Sequence, residues 1–137
     1  MFCAVKALSA LVVDVVAVTV FAILGRSSHA EANTLLGVLG TAWPFLAGAA
    51  VGHLLCQAAG ELRGDPTGWR PGLVVWVSTV TIGLILRVTT GDTAAWSFIV
   101  VASIVLAVFL LGWRTVVRLV HRARTRTDAR SGHQLRG

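Results

Sequence analysis

Asp14 is an acid set in the middle of an otherwise apolar stretch, residues 7–24. A carboxyl at that depth of a lipid bilayer costs about 2.5–3.5 kcal/mol on insertion scales, so it must face protein or water. It reads either as a protonatable group on an ion or proton path or as a hydrogen-bonded group that fixes helix packing. Counted at about 1.5 Å per residue, Asp14 lies on the order of 16 Å from the far end of its stretch. That depth is shared by Ser78 and Thr79 in a third apolar stretch and by Ser103 in a fourth. Those hydroxyls and the Trp76 N–H are the partners the depth predicts. Arg87 stands on the order of 12 Å away in depth, too far for a direct salt bridge.

A second set of polar groups falls at the ends of these stretches. Arg26, His29 and Arg87 converge on one predicted outer mouth, where two guanidinium forks and an imidazole would suit a phosphate headgroup or a carboxylate. The competing reading is arginines that snorkel and pair with Glu31 or Asp92. His53, toward the inner end of the second stretch, reads as an interfacial hydrogen-bonded residue more readily than as a proton relay. No G-x-S-x-G, P-loop, H-E-x-x-H or dinucleotide-binding fingerprint is present, and Ser27, Ser28 and His29 have no setting as nucleophile and base, so no enzyme is expected. No metal site and no cofactor are expected. Cys3 and Cys56 should both lie near a reducing face, without a disulfide.

The elements that must carry these groups follow from composition. Charged residues make up 13% of the 137 residues and hydrophobic ones 55%, with mean hydropathy +0.79. A soluble domain keeps about 25% charged residues at its surface, so the solvent here is lipid. Apolar runs at about residues 7–24, 36–58, 72–89 and 94–113 each suffice to cross roughly 30 Å of hydrocarbon. The expected fold is an all-α integral membrane protein with four transmembrane helices, made antiparallel by short connections. Lys6, Arg63, Arg70 and seven arginines from Arg114 onward lie on one side, against Arg26 and Arg87 on the other. Both termini are therefore expected in the cytoplasm, with the chain in the cell membrane. Trp43 and Trp96 would anchor the outer interface, and Trp69 and Trp113 the inner one. The start of the chain resembles a signal peptide with a small-x-small site near Ser28-His29-Ala30, but its apolar run is too long and carries Asp14.

Gly48 and Gly52 form a G-x-x-x-G that lets a helix backbone approach closely, whether an internal neighbour or a second subunit. Pro44 is expected in the first turns of its helix. Beyond Trp113 the apolar stripe continues through Val116, Val117 and Val120, while Arg114, Arg118 and Arg122 repeat at four-residue spacing, the pattern of a helix contacting anionic lipid. The expected division is a transmembrane domain, residues 1–117, and a basic cytoplasmic tail, 118–137, disordered from about 124. Ala42-Trp43-Pro44-Phe45 and Ala95-Trp96-Ser97-Phe98 open the second and fourth stretches, an echo that hints at a duplicated helical hairpin.

The set Asp14, Gly25-Arg26 with His29, Thr41-Ala42-Trp43-Pro44-Phe45 with Gly48, Trp76-Val77-Ser78-Thr79 with Gly83 and Arg87, and Leu110-Leu111-Gly112-Trp113-Arg114 resembles a family of small prokaryotic integral membrane proteins classed as a domain of unknown function. The resemblance covers residues 8–114 and implies the membrane fold without an activity. The leading expectation is a small proton- or ion-linked transporter or channel-like protein, with Asp14 titrating inside the bundle and Arg26, His29 and Arg87 holding an anion. The alternatives are a non-transporting scaffold or assembly subunit and a lipid-headgroup binder. Expected partners are membrane lipids, a second copy or a partner membrane subunit, and no nucleic acid.

Overall fold

The computed structural model describes residues 2–28, 32, 34–60, 64–92 and 94–134, with backbone alone for 2, 3, 28 and 128–134. Four helices account for nearly all of them: α1 (Phe2–Ser28), α2 (Leu35–Ala58), α3 (Trp69–Thr89) and α4 (Trp96–Gln134). No strand occurs among the described residues. All four helices are long and apolar enough to cross a membrane, and the protein is a multi-pass membrane protein.

The helix ends have local causes. Thr34 caps α2 by accepting the Gly37 N–H on its hydroxyl, which satisfies one of the orphan donors of a first turn. Gly91 ends α3 at a φ of 94°. This left-handed turn lets the Gly91 and Asp92 N–H groups donate back to Val88 and Arg87, a closure that a residue with a Cβ enters only under strain. Ahead of α3, the Asp65 carboxylate accepts both the backbone N–H and the hydroxyl of Thr67. Those two bonds, with Arg118 adding its charge at 3.4 Å, hold the Asp65 carboxyl below its ordinary value of 3.8.

Consecutive helices pack side by side and α4 closes back on α1, so both termini and the α2–α3 connection share one end of the bundle. α2 and α3 make the closest pair because of Gly48 and Gly52. A Cβ on Gly48 would stand 2.8 Å from the Thr79 Cα, and one on Gly52 2.8 Å from the Val75 Cα. The Ser78 hydroxyl uses that proximity to donate to the Gly48 carbonyl at 3.0 Å. The G-x-x-x-G face is thus spent on an internal neighbour. Toward the other end, Phe21 meets Phe45 edge to face at 5.2 Å, and Gly83 leaves room for the Phe45 ring.

Each helix turns one four-residue stripe inward. Ala10, Asp14, Val18 and Ala22 are buried on α1; Phe45, Ala49 and His53 on α2; Val75, Thr79 and Gly83 on α3; Ala102, Leu106, Leu110 and Arg114 on α4. Outside these stripes large apolar side chains such as Leu8, Val16, Leu36, Leu54, Val77, Ile85, Ile104 and Val108 face outward, as lipid permits and water does not. Pro44 lies nine residues into α2, inside the helix and not in its first turns. The segment expected to be disordered from about residue 124 instead continues α4 to Gln134. Arginine and alanine are good helix formers, no proline interrupts the run, and cations suit the C-terminal end of a helix dipole.

Candidate functional site

Asp14 is completely buried, as its place in the inward stripe of α1 requires. Its partners come from α2 and α4. Arg114 approaches as a two-pronged fork, with Nη1 donating to Oδ1 at 2.8 Å and Nη2 to Oδ2 at 2.7 Å. This is the bidentate geometry in which guanidinium and carboxylate bind most strongly. The Trp113 indole N–H donates to Oδ1 at 2.9 Å, and His53 Nε2 lies 2.8 Å from Oδ2. With Asp14 a carboxylate, the imidazole proton sits on Nε2, and each oxygen accepts two N–H groups.

Arg114 is 1% exposed. Its Nη1 also donates to the Leu110 carbonyl at 2.6 Å, one turn back toward the start of α4. The guanidinium carbon lies 4.5 Å from the centroid of the Trp113 ring, within range of a cation–π contact. Gly72 of α3 closes over the stem: a Cβ there would come within 2.8 Å of Arg114 Cδ. Arg114 Nε is sealed and has no hydrogen-bond partner. Paired charges of opposite sign make the desolvation tolerable, and removing one member of such a pair costs about 3–5 kcal/mol.

The partners expected from depth do not meet Asp14. Ser78 donates to Gly48 O, Thr79 to Val75 O and Ser103 to Ile99 O, and the Trp76 N–H is taken by Ser103 O. Two physical effects explain the difference. First, α1 runs on to Ser28, which moves Asp14 about 6 Å further from that end than the apolar run implied. Second, side chains lean toward the N-terminus of their own helix. Asp14 therefore leans toward the end carrying the termini, while Arg114 and His53, on helices of opposite direction, lean back to meet it.

Arg114, expected to touch anionic lipid, is instead an interior residue, because it is the next member of the stripe Ala102, Leu106, Leu110. Trp113, expected as an interface anchor, gives its N–H to the same carboxylate. That stripe is the signal in the sequence that would have located the pair. Arg118 is half-buried beside Asp65, and Arg122 is exposed. Trp43, Trp69 and Trp96 face outward.

At the opposite end the arginines are engaged separately. Arg26 donates to the Ala32 carbonyl at 2.8 Å and to Thr41 Oγ1 at 3.4 Å. Arg87 lies 3.8 Å from the Asp92 carboxylate, with its guanidinium 4.8 Å from the Phe98 ring centroid. His29 and Glu31 lie outside the described residues. Among the described residues no group of three His, Cys, Asp or Glu is placed to hold a metal.

Compared with known protein families, residues 11–117 match a model described as a protein of unknown function (DUF3054). No curated protein and no solved structure matches the chain.

Proposed function

The chain belongs to the DUF3054 family of proteins of unknown function, and we propose that this member is a small membrane carrier whose working step is proton exchange at the Asp14–His53–Arg114 cluster. The observation that carries the reading is the convergence of two ionisable side chains, His53 of α2 and Arg114 of α4, on the sealed Asp14 carboxylate of α1. Intramembrane groups of this kind mark ion and proton routes in membrane proteins. A purely structural contact has no need of them, since an apolar replacement of a buried ion pair is often as stable.

The chemistry proceeds by competition between a proton and Arg114 for Asp14. An imidazolium at His53 passes its Nε2 proton across 2.8 Å to Oδ2, leaving an imidazole protonated at Nδ1 and a carboxylic acid that no longer neutralises Arg114. The guanidinium is then free to leave α1 or to take another anion. Ser78, Thr79 and Ser103 take no part, because their hydroxyl protons are already donated to backbone carbonyls. The scaffold alternative loses its docking face, since Gly48 and Gly52 are covered by α3. Arg26 and Arg87, each held by its own neighbours, are a weaker anion site than the interior cluster.

We assign the end bearing the termini to the cytoplasmic side of the cell membrane on its excess of Lys and Arg. The exposed Arg122, Arg124 and Arg126 of α4 are then available to anionic headgroups. The test is proton and ion flux into liposomes holding the purified protein under an imposed pH gradient. Wild-type flux that Asp14→Asn abolishes is expected; flux equal in the two proteins would remove the cluster from the path.

A further inference from the structure

We infer that Arg114, Trp113 and His53 form a receptor for a small planar monocarboxylate, which Asp14 occupies in this structure as a tethered internal ligand. The argument starts from who donates. The two guanidinium N–H groups and the indole N–H come from α4 and the imidazole from α2. α1 supplies the carboxylate and none of these donors. Four N–H groups at 2.7–2.9 Å surround the two oxygens in pairs. This is a complete first layer for a planar carboxylate.

The guanidinium fork is also held without α1. Arg114 is anchored by the Leu110 carbonyl one turn back and by the Trp113 face beneath it, and Gly72 of α3 confines its stem. None of these contacts depends on the Asp14 carboxylate, so the fork keeps its aim when that carboxylate is removed or protonated. A sealed guanidinium without its counter-charge is strongly driven to acquire one. The first available anion that matches two coplanar oxygens is another carboxylate. Chloride lacks the fork-matching pair of oxygens.

The substrate class this assigns to the carrier is therefore a small monocarboxylate that enters when one proton displaces Asp14 and a second restores the His53 Nε2–H donor. That assignment rests on the carrier reading, but the receptor itself does not. Its test is size-matched rescue. Asp14→Gly deletes the equivalent of an acetate, and Asp14→Ala the equivalent of a formate.

The full-length variants are purified in detergent and their thermal unfolding is followed with increasing sodium formate, acetate or chloride. Formate should raise the midpoint of both variants by roughly 5 °C at saturation, acetate should do so for Asp14→Gly alone, and chloride for neither. Adding Arg114→Gln should abolish the rise. An equal response to chloride, or no response to either carboxylate, overturns the receptor. If the single variants accumulate only when cells are grown with the matching anion, the receptor is supported. If they accumulate in no condition while the charge-free Asp14→Leu/Arg114→Leu protein does, it is overturned. Rescue without proton flux would sink the carrier alone, and Asp14-dependent flux without rescue would sink the receptor alone.

Discussion

Arg114 and Arg87 occupy equivalent places, each continuing the inward four-residue stripe of its helix, and yet they are built into the protein in opposite ways. Arg114 is 1% exposed and spends its fork on a fully buried carboxylate. Arg87 is 19% exposed, and its acid, Asp92, is 54% exposed at 3.8 Å. The same side chain thus serves as an interior clasp at one end of the bundle and as a screened rim contact at the other. The difference lies in the partner's burial. A charge pair sealed from water has no alternative partner for either member, whereas a rim pair exchanges its contact for hydration at little cost.

The largest effect should come from unpairing the clasp. Arg114→Leu leaves the Asp14 carboxylate buried without a cation and should lower unfolding free energy by about 3–5 kcal/mol, measured by denaturation in detergent. The double variant Asp14→Leu/Arg114→Leu should recover most of that loss. If the double variant is as damaged as the single one, the clasp owes its stability to something other than charge pairing.

Arg87→Leu should cost about 1 kcal/mol or less, the loss of a long, screened ion pair and a partly exposed contact over Phe98. A loss matching that of Arg114→Leu would erase the contrast between the two ends.

The smallest effect belongs to Asp65, whose carboxyl is held low first by the Thr67 hydroxyl, then by the Thr67 backbone N–H and last by Arg118. Because the folded value lies below the ordinary 3.8, the contribution to stability is present above that value and is lost as pH falls through the folded one. Asp65→Asn should therefore flatten the pH dependence of the unfolding midpoint below about pH 4 and change little at neutrality.

Much of this was legible along the chain. The four spans follow from apolar run length, and Asp14 stands out because an acid inside hydrocarbon requires an explanation. Its partners were not legible, for reasons that can be named. Arg114 opens a series of seven arginines and, read by composition, belongs to the tail. Read by spacing, it belongs to Ala102, Leu106 and Leu110. His53 lies nearer the end of its run than Asp14 does, and only the opposed lean of side chains on antiparallel helices closes that offset. Gly48 and Gly52 announced a close helix contact, but the motif carries no address, and α3 claims it.

The sequence by itself determined the number of spans, the lipid solvent, the family and the need for Asp14 to find a polar partner. These are properties of length, apolarity and local composition, which each segment carries alone. Only the tertiary structure decided that Arg114, Trp113 and His53 are that partner and that Arg26 and Arg87 are engaged separately. Those outcomes depend on helix stagger and side-chain direction at the scale of a few ångströms, and neither is encoded in any one segment.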